Sequence, residues 1–211
     1  MIEYFVKYSD KLLTALAEHV CLVLISLFFS LLLAALLTLL SSYSSLMSKL
    51  LVSLFSMIYS IPSLAMFAML IPLTGLGRTT AILVLVVYNQ YLLLRNFITG
   101  FDEVEPAIVE AATGMGMTTF QVLTKVRLPL SRAAIFAGIR LALVSTIGIA
   151  TIAAQVNAGG LGAVLFDGLR TFNMNKILWG SLLSAGLAVG ANLLLGFAEK
   201  KLGGKSVEDE L

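Results

Sequence analysis

Few side chains in this 211-residue sequence could carry covalent or acid–base chemistry, and their spacing argues against each in turn. His19 is the only histidine and Cys21 the only cysteine, so there is no second imidazole at metal-site spacing and no intrachain disulfide. His19, at the polar edge of an apolar run, reads as an interfacial side chain, and Cys21, inside that run, as a small lipid- or helix-facing one. Gly204-Lys205-Ser206 resembles the end of a phosphate loop, but Glu199 stands where that loop needs glycine, and no strand precedes it. The glycine pairs 75/77, 114/116 and 160/162 lack the third glycine of a dinucleotide fold and read as turns. No paired carboxylates, nucleophile–base set or metal-ligand cluster falls within the long apolar segments, so nothing points to a membrane enzyme. An ion-coupled secondary transporter would normally place Asp, Glu, Lys or His inside the membrane, and the sequence offers only His19 at an edge. That reading stands as an alternative, and a scaffold as another.

What chemistry there is concerns recognition. Glu110 to Pro129 is a polar, glycine-broken island in an otherwise almost continuous apolar sequence. It cannot cross a membrane, because hydrocarbon leaves no water for the backbone groups that Gly114 and Gly116 expose, so it sits in water or against another protein. Pro106 suits a first helical position, Glu105 and Glu110 favour a helix start, and Ala111 and Ala112 favour helix up to Gly114. Thr118, with Gln121 three residues on, predicts a capping box that opens a second short helix, which Pro129 should stop.

The elements that must position this island are membrane spans. With 59% hydrophobic and 12% charged residues, the chain is far too apolar for a soluble domain and too long for one span. A net charge of +2 gives no reason to expect a nucleic-acid partner. Residues 1–19 alternate charged and apolar side chains at helical spacing and are expected at the interface. The run from Val20 to Leu40 is too long for a signal peptide and makes a first, retained span. Charge-free windows at 50–77, 79–94, 141–166 and 177–198 give four more. The window 79–94 is short, so Arg78 or Arg95 must keep its head at an interface. The expected fold is a single all-α polytopic domain over 1–211, with five transmembrane helices, a loop at 101–132 and a solvated tail at 199–211. Basic residues favour the loop side, at Lys49, Arg95, Lys125, Arg127, Arg132, Arg140, Lys200, Lys201 and Lys205. Lys7, Lys11, Arg78, Arg170 and Lys176 fall on the other side. The N-terminus is therefore expected outside, and the loop and C-terminus inside.

Polar residues within the spans are candidates for a pathway. Ser60, Pro62 and Ser63 predict a kink in the second span, as a packing device or a pathway element in equal measure. Tyr88, Asn89, Gln90 and Tyr91 form the most polar run inside a span and point to a pathway or subunit interface, with helix-to-helix hydrogen bonding as the alternative. Ser145 and Thr146, with Gly148, Thr151 and Gln155, suit either close packing or a lining wall. Beyond them, Asn157, Gly159, Gly160, Gly162 and Phe166 read as an outer gate segment, a short helix folded against the mouth, with a plain loop as the alternative. Gly186 and Gly190 mark a small-residue stripe for close helix contact.

Glu110-Ala111-Ala112, then Gly116, then Val126-x-Leu128-Pro129 resembles the cytoplasmic loop of ABC-importer permeases, with Val where Ile is commoner. The resemblance extends to Ser60 through Ala65, Thr74 through Gly77, Leu94-Arg95-Asn96, Ala137 through Arg140 and Ala158 through Gly162. Together these look like the osmoprotectant branch, which imports glycine betaine, carnitine, choline or related quaternary amines. An amino-acid permease, such as one for methionine, is the nearest alternative. The resemblance implies a type I fold in a bacterial plasma membrane. It implies that Glu105, Glu110, Ala111, Ala112, Gly114, Gly116, Leu128 and Pro129 couple to a separate ATP-binding subunit, present in two copies. It further implies a second permease subunit, the same chain or a homologue, and an extracytoplasmic substrate-binding protein. ATP and Mg would be bound by the partner, and no cofactor by this chain.

The predicted orientation is checked with single cysteines. Ser9→Cys should react from outside with an impermeant thiol reagent and Ser206→Cys should not; labelling of Ser206→Cys from outside would reverse the topology.

Overall fold

A computed structural model describes residues 2–201, all in helices and short connections, with no strand among them. The helices are α1 (Ile2–Ser41), α2 (Ser45–Tyr59), α3 (Ser63–Thr74), α4 (Arg78–Asp102), α5 (Pro106–Gly114), α6 (Thr119–Val122), α7 (Leu128–Leu130), α8 (Arg132–Ala153), α9 (Leu161–Arg170) and α10 (Met174–Lys201). Of the expected tail at 199–211, residues 199–201 close α10 and the rest lie outside the described residues. Four helices, α1, α4, α8 and α10, are long and apolar enough to cross a membrane, and the bent pair α2/α3 brings the count to five if it is one span.

α4 is the centre of the bundle. Its Ala81, Val84 and Leu85 are fully buried, packed with Leu22 and Val23 of α1, Phe67 of α3 and Ile147 and Ala150 of α8, while the buried Leu93 packs with Ala34 of α1 and Ala142 of α8. By contrast α2 buries none of its residues, and α10 buries only Gly180 and Glu199. Their outer faces, Leu50, Leu54, Leu182 and Leu193 among them, are exposed, as suits helices that face lipid or another subunit. Small residues set the closest approaches. A Cβ at Gly138 would lie 2.8 Å from Asn96 Cβ, and one at Gly100 2.5 Å from Ala134 Cβ, so α8 and α4 meet almost backbone to backbone.

Polar bonds fix the register of the three central helices. Asn89 Nδ2 donates to Ser30 Oγ at 3.0 Å and to Thr146 Oγ1 at 2.8 Å, tying α4 to α1 and α8. Gln90 Nε2 donates to the Ser30 carbonyl at 3.2 Å and to Val86 O at 2.9 Å. With Asn89 1% and Gln90 0% exposed, neither amide faces a pathway within this chain; the helix-to-helix alternative accounts for both.

Several expectations are corrected. The second window is no gently kinked span: α2 and α3 meet at 95° across Ser60-Ile61-Pro62, because Pro62 cannot donate to the preceding turn and starts a new helix instead. The fourth span is Arg132–Val156, not 141–166. Arg140 does not bound it, because Glu199 of α10, itself 2% exposed, pairs with the guanidinium and removes the need for water. Nor does Glu199 begin a solvated tail. His19 is wholly buried instead of interfacial, with Nε2 at 3.2 Å from the Ile147 carbonyl. The described residues of the segment 1–19 are the first part of α1 itself, interrupted by non-helical torsions at Tyr8. A Cβ at Gly186 or Gly190 would have open space around it, so neither marks a close helix contact; the close approach of α10 is at Gly180, where a Cβ would lie 3.0 Å from Leu165.

Loss of the central amide should be measurable. Asn89→Leu is expected to lower stability by about 1 kcal/mol, in line with interhelical hydrogen bonds in lipid. Denaturant titration in mixed micelles checks this, and wild-type stability would show that the amide locks nothing.

Candidate functional site

The island folds as a compact helical elbow. α5 starts at Pro106 behind Glu105 and ends at Gly114, and Gly116 then takes a left-handed torsion (φ +85°) that lets the chain double back. The predicted capping box is present: Gln121 N–H donates to Thr118 Oγ1 at 3.3 Å while Thr118 N–H donates to Gln121 Oε1 at 2.8 Å. Gly114, expected to break the helix with Gly116, stays helical. Pro129 does not stop the second helix. A π-helical turn over Leu123–Arg127 widens the coil ahead of Leu128–Leu130, and a turn that wide accommodates a ring lacking an N–H where an α-turn would not.

One residue fastens the elbow, and the others are left free. Ala112 is buried at 3% exposure, while Glu105, Glu110, Ala111, Gly114 and Gly116 are exposed. Around them Ile108, Met115, Phe120, Leu128 and Leu130 also stand in the open, Met115 at 74%. Two exposed carboxylates, Glu105 at the N-cap of α5 and Glu110 in its middle, surrounded by exposed apolar side chains, form a surface suited to a groove in another protein. At the foot of the elbow Ser131 Oγ donates to the Gly100 carbonyl, anchoring the return of the chain to α4.

The pathway candidates separate. Asn89, Gln90 and Thr146 are interior. Ser60 and Pro62 are exposed, and Ser63, Tyr91 and Ser145 are half-buried. Tyr88 is buried, and its hydroxyl donates to the Ile61 carbonyl, serving the backbone beside the break. Folding gathers three tyrosines that are scattered in sequence, with the Tyr59 ring 5.6 Å from Tyr88 and 5.1 Å from Tyr91. Arg95 Nη1 donates to Tyr91 Oη at 2.9 Å from an exposed position, the geometry of a cation reaching out along an apolar stem.

At the end opposite the elbow, Asn157 (φ +64°), Gly159 and Gly160 turn the chain from α8 into α9, a short helix where a plain loop was the alternative. A Cβ at Gly162 would collide with the Thr151 carbonyl, so α9 starts pressed against α8. Phe166 is half-buried on α9, and beside it Lys176 Nζ donates to Asp167 Oδ2 at 2.6 Å. That hydrogen bond, reinforced by the ammonium charge, holds the Asp167 carboxyl below its ordinary value. No cluster of metal-ligating side chains exists among the described residues.

The described residues thus form a helical bundle of membrane-spanning length, with an exposed elbow at one end and a glycine-turned short helix at the other. Residues 26–203 match the family described as binding-protein-dependent transport system inner membrane component, and the chain belongs to that family. It is 35% identical over 203 residues to the choline transport system permease protein OpuBD of Bacillus subtilis, covering 96% of this chain and 90% of that one. It is 32% identical over 209 residues to the carnitine transport permease protein OpuCB of Listeria monocytogenes, covering 99% and 96%. Among solved structures, an inward-facing MetNI methionine ABC transporter shares the fold at TM-score 0.84 and 19% identity, over 90% of this chain and 95% of that chain.

The cap is the local test of how the elbow is built. Thr118→Ala should destabilise α6 by about 1 kcal/mol, a fivefold faster amide exchange at Gln121 and Val122. Exchange mass spectrometry reads this; unchanged protection would mean that packing alone sets the turn.

Proposed function

We propose that this chain is the permease subunit of an ATP-driven importer for quaternary-ammonium osmoprotectants such as glycine betaine, carnitine or choline. The observation that carries the substrate class is similarity along nearly the whole chain to permeases named for choline and carnitine. Likeness to the methionine transporter, at 19% identity, speaks for the fold and gives the amino-acid alternative no separate support.

In this reading the elbow seats in a cleft of a separate ATP-binding subunit, which binds ATP and Mg and performs the hydrolysis. Glu105, Glu110, Ala111, Gly114, Gly116, Leu128 and Pro129 form the contact surface, and Ala112, buried inside the elbow, holds its shape. Their exposure, with the apolar side chains around them, supports this role. Two ATP-binding subunits act with two permeases, the second being the same chain or a homologue. The unburied face of α2 and the surface around Ser60, Pro62, Ser63, Tyr91 and Ser145 are then the walls that such a pair would enclose. Substrate arrives on an extracytoplasmic receptor at the end bearing Asn157, Gly159, Gly160, Gly162 and Phe166, with the N-terminus outside and the C-terminus inside. The chain itself holds no cofactor. In this reading the receptor, and not this subunit, sets substrate affinity.

The test is competitive uptake of betaine, carnitine, choline and an amino acid by the purified complex in liposomes. An amino acid that outcompetes all three amines would overturn the substrate class. Glu110→Lys should change stability by only about 0.5 kcal/mol, because Glu110 is an exposed side chain on the outer face of α5 with no partner to lose within the fold. Gly116→Val forces a branched side chain into a left-handed torsion at the elbow. Both variants should reach normal membrane abundance yet lose uptake and substrate-stimulated ATP hydrolysis. Wild-type transport at equal abundance would reduce the elbow to a linker.

A further inference from the structure

We infer that Glu18 is the positioning residue of the glycine turn between α8 and α9, a single carboxylate that latches three elements together. Its two oxygens have different partners. Oε2 accepts from the Gly160 backbone N–H at 3.1 Å, and Oε1 lies 2.7 Å from Arg78 Nη2 at the first position of α4. Neither partner is near Glu18 in sequence, so the contact joins α1, α4 and the turn.

The surroundings are shaped to this one side chain. A Cβ at Gly159 would stand 2.7 Å from Glu18 Oε2, and one at Gly160 3.0 Å from His19 Nδ1, so each glycine admits the backbone of the turn to the α1 surface. Both glycines adopt left-handed torsions (φ +81° and +76°), which deny the turn to other residues a second time. Next to Glu18, His19 is fully buried and bonded to the Ile147 carbonyl, which fixes the rotation of α1 under the carboxylate. One further bond closes the set, from Gly77 N–H to the Val156 carbonyl at 2.8 Å, tying the start of α4 to the end of α8.

The latch can also be released. The Glu18 and Arg78 side chains are 38% and 52% exposed, so water can replace either partner. Beside them an open surface hollow of about 310 Å³, lined by Asp10, Lys11, Thr14, Glu18 and Gly160 among others, leaves the carboxylate free to turn toward water. A buried ion pair would hold the turn permanently; a half-exposed one with a vacant space beside it can open and re-form. This role rests on the importer reading above, in which substrate enters at this end of the bundle.

The experiment reads the turn directly. Ala158, 2% exposed within the turn, is replaced by cysteine in a Cys21→Ser background, and an impermeant maleimide is applied to the full complex in nanodiscs. Arg78→Gln should speed labelling about threefold, the effect of losing a half-exposed ion pair. Glu18→Ala removes a charge-assisted hydrogen bond as well and should speed it roughly tenfold. The exchanged pair Glu18→Arg with Arg78→Glu should label more slowly than Glu18→Ala, since it restores the ion pair without the Gly160 bond. A control reporter, Ala142→Cys in the bundle core, should be unaffected. Equal acceleration at both reporters would indicate general loosening and overturn the latch, as would unchanged labelling in Glu18→Ala. Uptake measured on the same preparations keeps the two readings apart. A wild-type complex that transports none of the three amines defeats the importer assignment while the labelling series still decides the latch.

Discussion

In hydrocarbon an apolar surface gains little by meeting another apolar surface, so a membrane bundle depends on close packing and on polar groups that find each other. The Asn89 amide is the clearest instance here. It bonds to Ser30 on one neighbour and Thr146 on the other, and so sets how α1, α4 and α8 stand relative to one another. Both candidate sites sit at the ends of those helices. The elbow hangs between the end of α4 and the start of α8, and the glycine turn follows the other end of α8. Helices that slipped past one another at the centre would misplace both.

The same requirement explains the two places where charge enters the bundle. Arg140 and Glu199 meet at the side of α8 and α10, and Arg78 meets Glu18 at the start of α4. The first pair is largely shielded, with Glu199 at 3% side-chain exposure, and there the partners must stay together, since either one alone would be an uncompensated charge. The second is half in water and is weaker for it. A permanent fastening thus sits between spans, and a releasable one at the rim.

Much of this was legible in the sequence because it is local. The proline at 106, the glycine at 116 and the Thr118–Gln121 pair act within a few residues, and the elbow formed as their spacing dictates. The short helix α9 announced itself through the glycines before it. What sequence could not supply is partnership at a distance. Arg140 looked like the edge of a span because its neutralising carboxylate lies 59 residues away. His19 looked interfacial because nothing nearby shows that the Ile147 carbonyl waits for it. Asn89 and Gln90 looked like a wet lining because an amide inside a span has two satisfactory fates, water or another helix, and periodicity does not distinguish them. Pro129 was misjudged for a different reason, as the rule that proline ends a helix assumes an α-turn and the chain used a wider one.

The length of α1 gives the Asn89 contact a mechanical meaning. Ser30, where α4 grips α1, lies about 18 Å along the axis from Glu18 and about 17 Å from Ser41, at 1.5 Å per residue. The grip therefore lies about midway between these two residues of the helix. A rocking of α1 by ten degrees about that point would carry Glu18 and Ser41 some 3 Å in opposite senses, nearly equal in size. Glu18 is the carboxylate that holds the glycine turn, and Ser41 leads into α2, whose far end is the proline break.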